Sequence, residues 1–142
     1  MKFKKNMVIL PSVCDVADKL SVADSAGIFQ DIATEHAQIM GVDGDTLLEK
    51  SGGFWVVLKT KIIFFRRPAM LENVTVATWP NTPRGLRCTR NYTVEQNGAT
   101  IICGKSQWAI LDSTTHHPRK LESTCCPMDY NYSCLLYTSR CV

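Results

Sequence analysis

SVADSAGIFQDIATEHAQIMG (21–41) carries the longest unbroken periodicity in the chain. Ile28, Phe29, Ile32, Ala33, Ala37 and Met40 recur at steps of three and four, the spacing of one face of an α-helix. Ser21 stands where an N-cap hydroxyl belongs, and Asp24 puts a negative charge in the first turn. Gly41 stands where a left-handed residue ends a helix. The spacing therefore predicts a helix over 21–40, about five turns, with Gln30, Asp31, Thr34, Glu35 and Gln38 on its outer face.

On either side of this helix the pattern is different. Residues 3–10 read as a short strand, and Val42 to Gly53 as a polar connector with three glycines. From there the period is two. FWVVLKTKIIFFRR (54–67) sets Phe54, Val56, Leu58, Thr60, Ile62 and Phe64 against Trp55, Val57, Lys59, Lys61, Ile63 and Phe65, and Pro68 ends the run. ENVTVATWP (72–80) alternates and is closed by Pro80 and Pro83. LRCTRNYTVEQ (86–96) sets Leu86, Cys88, Tyr92 and Val94 against Arg87, Thr89, Asn91, Thr93 and Glu95. Asn97-Gly98 is a hairpin turn of type I′, and ATIICGKSQWAILD (99–112) returns as the partner strand, with Gly104 marking a bulge or a close approach of the helix. One strand, one long helix and four strands in meander-like succession indicate an α+β chain with an antiparallel sheet. A sheet curled around one long central helix is the hotdog fold.

The chain has 142 residues, one domain's worth, and its 45% hydrophobic and 20% charged content excludes a disordered polypeptide. The apolar runs MVIL (7–10) and IIFF (62–65) are strand-sized, so no membrane span is expected, and the first is too short for a signal peptide. The seven cysteines are odd in number and include no CxxC, so neither a disulfide framework nor a zinc site is read, and free thiols in a cytoplasmic protein are expected.

Charge is uneven along the chain. Residues 1–50 carry a net −3, residues 51–110 a net +6, and the remainder balances. The basic middle contains Arg66, Arg67, Arg84, Arg87 and Arg90, a residue type suited to bidentate contacts with carboxylate or phosphate. No Lys/Arg run exceeds two residues and no reader motif is present, so nucleic acid is not the expected partner. His116-His117 lack a third ligand at metal spacing, Cys125-Cys126 lack a base, and no phosphate or dinucleotide loop is present; neither metal nor cofactor is expected. Cys88 and Cys103 read as small core residues.

Four pieces of sequence, in their order and spacing, carry a family resemblance: AxxHA on the helix (Ala33 to Ala37), Trp55 through the R-x-P ending at Pro68, Thr78-Trp79-Pro80, and Trp108 to Asp112. Over residues 1 to about 122 the chain resembles the N-terminal half of the bacterial acyl-acyl-carrier-protein thioesterases. The resemblance implies a hydrolase of fatty acid biosynthesis, built as two hotdog domains, that cleaves a fatty acyl thioester of acyl carrier protein. It implies that the first hotdog holds much of the acyl pocket, here Ile28, Phe29, Ile32, His36, Phe54, Val56 and Leu58, and that the five arginines named above dock the acidic carrier protein. The family's catalytic Asp, Asn, His and Glu lie in the second hotdog, in a D-x-N-x-H motif. Asp129 and Asn131 have that step, but Ser133 replaces the histidine and the position is too early, so no catalytic role is carried over.

Two alternatives stay open. A single-domain hotdog acting on acyl-CoA would use Asp31 or His36 as its base, and a non-catalytic module would bind acyl chains and dock a carrier protein. A lone first hotdog also implies a partner, either the second hotdog domain or another copy of itself. The expected organisation is an N-terminal hotdog at 1–122, the start of an interdomain linker at 123–133, and a tail at 134–142. That tail, CLLYTSRCV, reads as the translation of a sequencing-library transposon end, which would make the chain a fragment, inactive by itself.

Overall fold

A computed structural model describes residues 2–121. The linker start, the tail, Cys125-Cys126 and the Asp129–Ser133 segment lie outside the described residues. The elements are β1 (Phe3–Val8), a short 3-10 turn (Pro11–Val13), α1 (Val22–Met40), α2 (Gly44–Ser51), β2 (Gly53–Phe64), β3 (Asn73–Pro80), β4 (Cys88–Gln96), β5 (Ala99–Asp112) and β6 (Pro118–Arg119). All strand pairs are antiparallel, in the order β1-β3-β4-β5-β2, and β6 pairs with β5 beyond the end of β4. The sheet is open and α1 packs on one of its faces, the hotdog arrangement.

The ends of α1 form as the sequence dictates. The Ser21 side chain accepts a hydrogen bond from the Asp24 amide at 3.0 Å, and Gly41 closes the helix at φ +75°. Ser25, Phe29, Ile32, Ala33 and His36 form the buried stripe. Below its first half lie Val74 and Val76 of β3, Tyr92 and Val94 of β4, and Ile102 of β5, all nearly without solvent exposure. Fully burying an Ile or Phe side chain of this kind contributes about 1.5–3 kcal/mol. Gly104 is the close approach and not a bulge. A Cβ there would stand 3.0 Å from the Phe29 ring and 3.3 Å from the Lys61 carbonyl oxygen. The hairpin at Asn97-Gly98 has φ +51° and +78°, as a type I′ turn requires.

The structure departs from the sequence reading in four ways. The connector after α1 contains a second helix, α2, capped by the Asp43 side chain and ended by Gly52 at φ +69°. Only β3, β4 and β5 form a meander; β2 crosses to the far edge, beside β5. The alternation of β2 is interrupted, because Val57 pairs with Trp108 and Lys59 with Gln107, leaving Leu58 without a partner on β5. Finally, Cys14 and Cys88 are outside any disulfide but Cys103 is disulfide-bonded, which spacing alone could not indicate.

Candidate functional site

The interruption at Leu58 determines which side chains of β2 face the helix. Paired residues of an antiparallel sheet project to the same side. Ile62 opposite Gly104 and Phe64 opposite Ile102 face α1; past the extra residue, so do Val57 opposite Trp108 and Trp55 opposite Ile110. Phe54 and Val56 therefore face away from the helix, and Phe54 instead meets the His116 ring edge-on at 6.2 Å. This corrects the placement of Phe54, Val56 and Leu58 in an acyl pocket under α1.

Where the second half of α1 passes over β4 and β5, the layers separate and leave a cavity of about 330 Å³. Gln30, Ala33, Thr34 and Ala37 make its helical wall, Val42, Asp43 and Gly44 its rim, and Trp55, Cys88, Arg90 and Trp108 its floor. The two indoles meet edge to face at 6.3 Å. Each is anchored by its N–H: Trp55 donates to the Val42 carbonyl at 2.7 Å, and Trp108 to Ser106 Oγ at 2.6 Å. Ser106 also shares a 2.9 Å hydrogen bond with the buried Tyr92 hydroxyl, whose pKa burial pushes up. Two flat aromatic side chains are thus held in fixed orientation at low entropic cost.

A buried polar group borders the cavity. Arg90 is 8% exposed and His36 3%. Arg90 Nη1 donates to His36 Nδ1 at 2.9 Å and to Thr78 Oγ1 at 3.2 Å, and the His36 ring stacks on Phe3 at 5.4 Å. A guanidinium can only donate, so His36 is neutral with its proton on Nε2. Burial first, and then the Arg90 charge, lower its pKa to about 4. A ring nitrogen that accepts from a guanidinium, with so low a proton affinity, is a poor general base. Asp43 is the only carboxylate among the described cavity residues. It accepts from the Thr46 hydroxyl at 2.6 Å, and that bond holds its pKa below the usual range. It is a helix cap.

The other sequence candidates are distributed as follows. Asp31 is exposed and is not among the residues that line the cavity. Phe29 and Ile32 belong to the closed core and Ile28 packs against it; of the proposed acyl-pocket residues, His36 comes closest to the cavity, through Arg90. The five arginines do not form one surface. Arg90 is buried; Arg66 bonds to Gln96 and lies near Glu72; Arg67 pairs with Asp15; Arg84 and Arg87 are exposed at the other end of β4. Gln96 and Cys88 end a strand about 25–30 Å long, which separates the two exposed groups. The sequence reading missed Trp55, Trp108, Cys88 and Asp43. For Arg90 a signal existed, since it falls in phase with Cys88, Tyr92 and Val94 on the apolar face.

Residues 1–127 match the family model of the acyl-ACP thioesterase N-terminal domain. The chain belongs to this family. Among solved structures, an acyl-ACP thioesterase from Bacteroides thetaiotaomicron superposes with a TM-score of 0.81 at 23% identity, covering 98% of this chain and 58% of that one. The 12:0-ACP thioesterase from Umbellularia californica gives 0.76 at 20% identity, covering 84% and 49%. DHNA-CoA thioesterase from Staphylococcus aureus gives 0.74 at 17% identity, covering 85% and 81%. These likenesses establish the hotdog fold. The chain spans only 58% and 49% of the two acyl-ACP thioesterases. No curated protein sequence matches it. Among the described residues no helix is long and apolar enough to cross a membrane, and no group of three or more His, Cys, Asp or Glu is placed to hold a metal ion.

Proposed function

We propose that this acyl-ACP thioesterase N-terminal domain is the acyl-binding half of a two-hotdog enzyme, which hydrolyses the fatty acyl thioester of acyl carrier protein to free fatty acid in cytoplasmic fatty acid biosynthesis. The observation that carries this reading is the 330 Å³ cavity walled by Ala33, Ala37, Val42, Trp55 and Trp108, a size and lining suited to an alkyl chain. Water attack on the thioester carbonyl belongs to a second hotdog, because Asp43 and His36 are each committed to a structural bond and hold their protons weakly. The partner, a second hotdog domain or another copy of this chain, has an edge to meet. β2 ends the sheet, and Leu58 to Lys61 are exposed.

Titration of the full chain with an acyl carrier protein thioester, followed by tryptophan fluorescence, to which Trp55 and Trp108 on the cavity floor and the buried Trp79 all contribute, tests the reading together with an assay for released thiol. Saturable binding with negligible hydrolysis is expected. Turnover by this chain alone would overturn the assignment of catalysis to another domain, and the absence of a saturable signal would overturn the acyl pocket.

A further inference from the structure

The loop between β3 and β4 ends in a two-residue hairpin. Arg84 N–H donates to the Arg87 carbonyl and Arg87 N–H to the Arg84 carbonyl, both at 3.2 Å, with Gly85 at φ +58° in the turn. Such a doubly bonded pair sets the two Cα atoms about 5.5 Å apart and projects both side chains to one side. Two guanidiniums therefore stand together at an exposed tip. Like charges directly opposite on a hairpin destabilise it. Neither arginine forms an ion pair with any described carboxylate, unlike Arg66 and Arg67. The next residue after Arg87 is Cys88, on the cavity floor.

We infer that Arg84 and Arg87 form a phosphate clamp that holds the phosphate ester of a phosphopantetheine arm while its acyl chain enters the cavity. The inference rests on the acyl-thioesterase reading for its choice of ligand. Two planar forks offer paired donors to the oxygens of one phosphate, and binding removes the repulsion between them. The same chemistry is presented by an arm attached to a carrier protein and by coenzyme A. The position of the tip at the Cys88 end of β4, away from Arg66 and Arg67, restricts the clamp to this pair.

The test compares 4′-phosphopantetheine with pantetheine, each alone and as its octanoyl thioester, on the wild-type chain and on Arg84→Ser/Arg87→Ser. Both positions are exposed and leave Gly85 and the core untouched. Wild type should bind each phosphorylated ligand about tenfold more tightly than its unphosphorylated counterpart, a preference that shrinks with added salt. The double variant should lose that preference and keep its affinity for octanoyl-pantetheine. A preference that survives the double substitution, or none in wild type, overturns the clamp. Competition by inorganic phosphate as strong as by 4′-phosphopantetheine also overturns it, since the tip would then be a general anion site. If the acyl group adds nothing to affinity but the phosphate preference still depends on the two arginines, the acyl pocket fails and the clamp stands. Tighter binding of holo- than apo-carrier protein would assign the arm to a carrier protein, and equal binding of these two with tight binding of coenzyme A would assign it to the nucleotide thioester.

Discussion

The two halves of α1 lie over different parts of the same sheet. Around Phe29 the helix comes down until the ring rests against Gly104 and stacks on Tyr92 at 4.7 Å. From Ala33 to Ala37 it runs beside Arg90, Trp108 and Trp55 and borders a partly open cavity. Against Phe29, β5 presents the bare backbone of Gly104, whereas four residues further along the same strand, around Trp108, the sheet presents two indoles and a guanidinium. One rigid element thus holds the fold together at one end and frames a binding space at the other.

This contrast can be broken at its dry end first. Phe29→Ala should cost about 3–5 kcal/mol, because the ring fills a closed site that cannot collapse. Urea denaturation measures it, and a loss under about 1 kcal/mol would mean the two halves are equally loose.

The polar border between the halves is tested by acid. His36 has a folded-state pKa of about 4 against 6.5 unfolded. The unfolded chain therefore takes up this proton first. The His36 contribution is level above about pH 6.5 and is lost as pH falls toward 4, by about 2 kcal/mol once solvent screening is allowed for. The carboxylates of Asp15 and Glu72, whose pKa values are lowered by hydrogen bonds from Arg67 and from the Ala69 amide, lose their contributions only in more acid solution. His36→Gln should flatten the stability profile between pH 6.5 and 4, and an unchanged slope would remove His36 as its source.

At the open end the stability effect is smallest. Ala37→Leu projects into space already vacant and should change stability by less than about 1 kcal/mol. It should nevertheless weaken binding of a fatty acyl thioester about tenfold, read by the same tryptophan fluorescence. Unchanged affinity would place the acyl chain elsewhere.

Much of this was legible in the residues. The 3.6-residue period with Ser21 and Gly41 marks α1 almost to the residue, and Asn97-Gly98 fixes the β4–β5 turn. Asp43 and Gly52 are equally good helix ends, but the eight residues of α2 carry too little apolar periodicity to stand out from a loop. The side chains that line the cavity are hidden from the sequence for a different reason. Alternation assigns faces only while the register is continuous, and whether β5 skips Leu58 depends on a partner about fifty residues away. Nearness in sequence groups the arginines, although a strand between them carries its two ends far apart.

The extra residue in β2 gives that strand a property its composition does not. Before Leu58 the odd-numbered side chains look inward, and after it the even-numbered ones do. The identity of the cavity wall is therefore encoded in a count of residues as much as in their kinds. A single-codon insertion or deletion between Trp55 and Lys59 would exchange interior for exterior across one half of the strand, although Leu58 is itself exposed. The length of this short segment thus sets which side chains of β2 face the helix, an effect that substitution at any single position cannot reproduce.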